Sequence, residues 1–178
     1  MKKTPFALAF LALGLASGSA FAASSGTITI NGQVMDQTCT IVGAEDQTVT
    51  LATVAKADLD ALGKEAAKQS FTIKLESCAA GDVFAFFSAD TASLIDPATN
   101  TLVNQATAGT ATNVNVALYE ENGQRIELGN AAYVYADTKA VAADNDPATL
   151  MYSAGYYATG QATAGPVTAV ANYTISYQ

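Results

Sequence analysis

Histidine and tryptophan are absent from the 178 residues, and Lys and Arg together number eight against sixteen Asp and Glu. Without an imidazole there is no Ser-His-Asp or Cys-His relay, no histidine general base and none of the common His-containing zinc sites. The net charge of -8 repels phosphate rather than displacing its counterions, which excludes a basic nucleic-acid binder. Cysteine is scarce: Cys39 and Cys78 are the only two, and their spacing is nothing like a C-x-x-C redox motif. No GxSxG nucleophile elbow occurs. Nothing sets a pair of carboxylates such as Glu120 and Glu121 across a cleft. Asp144-Asn145-Asp146 lacks the spaced ligands and central glycine of a calcium loop. The chain therefore reads as a non-enzyme, with no cofactor, metal or small-molecule substrate expected.

What is present begins with an export signal. Lys2 and Lys3 precede an apolar stretch from Phe6 to Ala16, and Ala20-Phe21-Ala22 supplies the small-x-small pattern of a cleavage site. The stretch is well short of the ~20 residues that span a bilayer, so residues 1–22 are expected to be a signal peptide. Losing Lys2 and Lys3 leaves 6 − 16 = -10 on the mature chain. Export also places Cys39 and Cys78 in an oxidising compartment, where the pair is expected to form a disulfide. Closing that loop adds about 4 kcal/mol in the chain-entropy model.

Along the mature chain the dominant pattern is alternation with period two, broken by Gly, Asn, Asp and Pro, which predicts many short strands. Phe71, Ile73 and Leu75 alternate with Thr72, Lys74 and Glu76; Val114, Val116 and Leu118 alternate with Asn113 and Asn115. Val83 to Phe87 is apolar on both parities and predicts a central strand covered on both faces. Asn122-Gly123 predicts a two-residue type I′ hairpin. Leu59, Leu62 and Ala66 predict one short helix within Val54 to Lys68, and Ala136 to Thr149 reads as a polar loop. Many strands with one disulfide suggest an all-β sandwich of immunoglobulin type.

Both ends of the mature chain carry one-sided strands. From Ser24 to Val34 the even positions, including Gly26, Ile28 and Ile30, face the polar odd positions Thr27, Thr29 and Asn31. Near the C-terminus Val167, Ala169, Ala171, Tyr173, Ile175 and Tyr177 share one parity. Alternation alone leaves Ile28 and Ile30 open to being an ordinary edge strand of their own domain.

With Gly26-Thr-Ile-Thr-Ile-Asn-Gly-Gln-Val34 before Cys39, then Cys78, Ala111-Thr-Asn-Val-Asn-Val116, Tyr156-Tyr-Ala-Thr-Gly160, Gly165 and Tyr177, the chain resembles a pilin of the type 1 fimbrial, chaperone-usher family. Gly165, fourteen places from the C-terminus, and penultimate Tyr177 occupy the two positions of that family's C-terminal pattern. The resemblance implies an incomplete immunoglobulin-like sandwich lacking its last strand, completed by a donor strand from a neighbouring subunit. It implies a donor-strand extension over residues 23–35, with Gly26, Ile28 and Ile30 inserted, and a pilin domain over residues 36–178. Gly165, Tyr173, Ile175 and Tyr177 belong to the strand beside the groove, which also faces the chaperone.

The implied partners are other pilin subunits in a head-to-tail polymer, a periplasmic chaperone and an outer-membrane usher, with neither nucleic acid nor a small molecule. The implied location is a surface fimbrium reached through the periplasm, where the filament supports adhesion. The alternative is a minor adaptor or tip subunit with a receptor-binding role of its own. A tip adhesin of this family carries a receptor domain ahead of its pilin domain, for which the mature chain leaves no room.

Overall fold

The alternation of Phe71, Ile73 and Leu75 lies within a strand of 14 residues, Glu65–Cys78. The computed structural model describes residue 29, residues 39–136 and residues 139–177. Residues 1–28 and 30–38, and with them the expected signal peptide and Gly26, Ile28 and Ile30, lie outside the described residues. The described residues form nine strands: β1 Thr40–Ile41, β2 Glu65–Cys78, β3 Gly81–Ser88, β4 Ile95–Asp96, β5 Thr101–Leu102, β6 Val114–Glu120, β7 Lys139–Val141, β8 Asp146–Ala158 and β9 Asn172–Tyr177. They form two antiparallel sheets, one in the order β1-β2-β8-β6-β5-β4 and one in the order β7-β3-β9.

The inward residues of the two sheets make one core. Ile73 and Leu75 from β2, Val83, Ala85 and Phe87 from β3, Val116 and Leu118 from β6, and Leu150 and Tyr152 from β8 are all buried. Lys74 and Glu76 point to solvent, as period two requires. The architecture is the immunoglobulin-like sandwich expected from the sequence.

Several local expectations are corrected. In place of a helix over Val54 to Lys68 there is one 3₁₀ turn, Lys56–Leu59, after which β2 begins at Glu65. Gly63, at φ +83, turns the chain between the two. Of the apolar residues at helical spacing, only Leu59 is buried, against Ala111, Val114, Ala158 and Ala162; Leu62 is exposed. The Asn122-Gly123 hairpin exists, but as a three-residue loop. Gly123 N–H bonds Glu120 O, Glu120 N–H bonds Gln124 O, and only Gly123 has positive φ. Most of the described part of 136–149 is strand, because β7 pairs with β3 and Asp146 opens β8 opposite Cys78. The remaining turn is held by its own acids, since Asp144 accepts the Ala80 N–H and Asp146 the Ala143 N–H. β3 is central, but on its outer face only Phe84 is covered, by the Tyr135 ring at 4.8 Å, while Phe86 is half-exposed.

The outer face of the larger sheet is also partly covered, which alternation does not predict. A β-bulge at Ala66/Gln69, with Ala67 at φ 51, brings Lys68 over Gly155, and its ammonium lies 3.7 Å from the Tyr119 ring centroid. Asn115 is buried by hydrogen bonds to Asp96 and Thr101. β6 is thus buried along its whole length.

Candidate functional site

The smaller sheet ends on β9, and the orientation of its backbone groups follows from β3. Ala85 N–H donates to the Tyr152 hydroxyl at 2.8 Å and Phe87 N–H to the Tyr135 hydroxyl at 3.0 Å, both away from β9. β7 reaches only Gly81 to Val83, so these two hydroxyls replace a ladder where it stops. Residues of an antiparallel pair alternate between exchanging both hydrogen bonds and exchanging none. Phe84, Phe86 and Ser88 therefore bond to Ser176, Thr174 and Asn172 in the observed register. The amide groups of Tyr173, Ile175 and Tyr177 face the opposite edge, where no strand among the described residues pairs with them.

From Tyr173 back along the preceding residues to Val167 runs a groove of about 950 Å³. One wall is the chain from Ile41 to Leu51, the other the chain from Val167 to Tyr173, and the floor is core: Phe71, Ile73, Phe87, Val116 and Leu118. An apolar floor and backbone groups that no strand among the described residues pairs are the two things an added β-strand would cover.

The walls are held in place by specific groups. Cys39 and Cys78 are disulfide-bonded, which ties the start of the first wall to the end of β2. The Tyr177 hydroxyl accepts the Cys39 N–H at 2.6 Å, and the Tyr173 hydroxyl donates to Glu45 O at 2.8 Å, so both tyrosines link β9 to the facing segment. Burial, with Glu45 and Asp46 adding negative charge nearby, raises the Tyr173 pKa above 10.0. At the other end Gly165 lies against Gly109 and Ala111. A Cβ there would sit 2.2 Å from Gly109 O and 2.4 Å from Ala111 N, so only glycine fits.

A family model described as fimbrial protein matches residues 28–178. The chain belongs to the fimbrial protein family. It is 43% identical to the F17 fimbrial protein of Escherichia coli over 187 aligned positions, covering 100% of each. It is 41% identical to the major fimbrial subunit SMF-1 of Stenotrophomonas maltophilia over 160 positions, covering 87% of this chain and 94% of that one. The P pilus rod subunit PapA shares the fold, with a TM-score of 0.59 at 19% identity, over 80% of this chain and 100% of that one. The protein is thus a fimbrial subunit of the chaperone-usher class with an immunoglobulin-like pilin fold, and its relatives are structural subunits of surface pili rather than enzymes.

Of the residues singled out from the sequence, Tyr173 of this fimbrial subunit lines the groove; Ile175 and Tyr177 follow it on β9, Cys39 bonds both Cys78 and the Tyr177 hydroxyl, and Gly165 packs on residues 109–111. The alternation over Val167 to Tyr177 becomes strand only over Asn172–Tyr177. Glu120 and Glu121 are separated by environment. Glu120 is buried, accepting the Tyr133 hydroxyl at 2.7 Å and the Ala136 N–H at 3.1 Å, whereas exposed Glu121 pairs with Lys139. Asn172, on a sequon, bonds Asp90. Among the described residues no three His, Cys, Asp or Glu side chains gather as a metal site. Tyr135, Tyr152 and Asn104 carry no sequence signal, because each acts through a contact with a segment distant in the chain.

Proposed function

We propose that this fimbrial subunit polymerises by donor-strand exchange: Ser24 to Val34 of one copy enters the groove of the next, with Ile28 and Ile30 on the apolar floor and Gly26 in the same row. The observation that carries the reading is the row of backbone groups at Tyr173, Ile175 and Tyr177, which no strand among the described residues pairs, leading into a groove with an apolar floor that opens beside Tyr173. Strand addition satisfies both features at once. Burying the two isoleucines contributes about 1.5 to 3 kcal/mol each, in addition to the backbone ladder. Donor and groove are different surfaces, so the contact is head-to-tail and builds an open filament.

Residues 1–22 act as the export signal, 23–35 as the donor extension and 36–178 as the pilin domain. An unfilled groove is an aggregation hazard. A periplasmic chaperone therefore covers the strand that follows Gly165, with Tyr173, Ile175 and Tyr177 at the contact, until the outer-membrane usher passes the subunit to the growing fimbria at the cell surface. The resemblance to a major fimbrial subunit favours a role in the shaft over an adaptor or tip role.

The test is the double substitution Ile28→Asp and Ile30→Asp, expressed in place of the native subunit in a fimbriated strain. Two carboxylates cannot enter the groove unpaired. The variant is expected to accumulate in the periplasm with its chaperone and to form no filaments by electron microscopy. Filaments of normal length and yield would overturn the reading.

A further inference from the structure

β9 is short for the segment it is proposed to receive. It covers Asn172 to Tyr177, and its partner β3 ends at Ser88 opposite Asn172. The donor alternation from Ser24 to Val34 is as long as the stretch from Val167 to Tyr177, so residues 167–171 must also present usable backbone if the whole segment is to pair. These residues are not assigned to a strand. Their burial nevertheless alternates, with Val167, Ala169 and Ala171 partly covered and Thr168 and Val170 exposed. That is the pattern of extended chain continuing β9.

Asn104 and Gln105 stand where β3 no longer reaches. Thr168 N–H donates to Asn104 Oδ1 at 3.0 Å, and Thr168 O accepts the Gln105 N–H at 2.7 Å. Both backbone groups of Thr168 are thereby engaged on the side away from the groove, as those of Asn172, Thr174 and Ser176 are engaged by β3. Asn104 Nδ2 donates to Ala111 O at 3.0 Å and to Pro166 O at 3.1 Å, and Oδ1 also accepts the Ala106 N–H at 3.0 Å. One side-chain amide makes four hydrogen bonds, two to each of its polar atoms, and joins residues 166–168 to residues 106–111.

We propose that Asn104 is a positioning residue that lengthens the acceptor edge. Its amide stands in for a strand partner and continues the row of backbone groups that no strand among the described residues pairs, from Tyr173, Ile175 and Tyr177 back through Ala171 and Ala169 to Val167. The occupant is the Ser24 to Val34 segment of a second copy, so the proposal rests on the donor-strand reading above. Tyr173 to Tyr177 supply half of the edge through the sheet, and Asn104 supplies the other half.

The experiment follows amide hydrogen exchange, residue by residue, in the full chain held dilute as a monomer with an excess of a synthetic Ser24 to Val34 peptide. In the native sequence the peptide is expected to protect the amides of Ala169 and Ala171 as well as those of Tyr173, Ile175 and Tyr177. Asn104→Ala, and Asn104→Asp, which sets a carboxylate oxygen against the Ala111 and Pro166 carbonyls, are expected to lose protection at Ala169 and Ala171 while keeping it from Tyr173 to Tyr177. The peptide's affinity should fall about tenfold with the lost backbone bonds. A general loss of stability would lower protection along the whole edge instead. Native chain protected only from Tyr173 onward, or variants that keep Ala169 and Ala171 protected, would overturn the role of Asn104 and leave donor-strand exchange standing. No protection anywhere from Val167 to Tyr177 would overturn donor-strand exchange itself.

Discussion

Gly165→Ala tests how the groove's far wall is anchored. The added methyl would lie 2.2 Å from Gly109 O, 2.4 Å from Ala111 N and 2.7 Å from the Thr110 carbonyl carbon, all of them backbone atoms. No side chain can swing aside, so residues 165–168 must lift away from residues 109–111. That movement breaks the Ala111 N–Pro166 O bond and the Asn104 Nδ2–Pro166 O bond. Overpacking costs about 1 to 3 kcal/mol and each bond about 1 kcal/mol, so the expected loss is about 3 to 5 kcal/mol. The assay is urea unfolding of the disulfide-intact subunit, with a lower midpoint at unchanged slope as the expected result. Gly43→Ala is the control: its φ is +93 with nothing within 4 Å of the added Cβ, so it reports backbone strain alone, about 1 to 2 kcal/mol. A loss at Gly165 no larger than that at Gly43 would refute the close-approach argument.

Two further outcomes follow from the tyrosines. Tyr135→Phe and Tyr152→Phe each leave a buried β3 amide without its acceptor, and each should cost about 1 to 3 kcal/mol in the same unfolding assay; a loss within error of zero would mean that the hydroxyls do not complete the ladder. Burial, with Glu65 beside Tyr119 and Glu120 beside Tyr133, holds both phenols well above the ordinary 10.0. The folded chain therefore keeps protons that the unfolded chain releases, so this contribution is intact below pH 10 and declines as pH rises past it. Absorbance at 295 nm should show some tyrosines ionising only as the protein unfolds, and eight that all titrate together near pH 10 in the folded chain would contradict the burial.

Much of the sandwich was legible because period two is a local property. Ile73, Leu75, Val116 and Leu118 alternate in the sequence and are buried in the core, since successive residues of a strand must face opposite sides. The same reasoning failed over Val54 to Lys68. There helical spacing of small and apolar residues was overridden by Gly63 and by the pairing of β2 with β8, a partner far along the chain. Glu120 next to Glu121 is a second case: adjacency in sequence concealed that one carboxylate is buried beneath Tyr133 and the other exposed.

By itself the sequence determined the strand-rich class, the disulfide pair and the parity that puts Tyr173, Ile175 and Tyr177 on one edge, because each follows from composition or from neighbours within a few residues. Only the tertiary structure decided which edge of β9 no strand among the described residues pairs. That depended on the Tyr135 and Tyr152 hydroxyls turning β3's odd amides away from it, and on Asn104 engaging Thr168 across the fold. Hydrogen bonds between residues this far apart in the chain leave no periodic trace in the sequence, since their geometry exists only once both segments are packed on a common core.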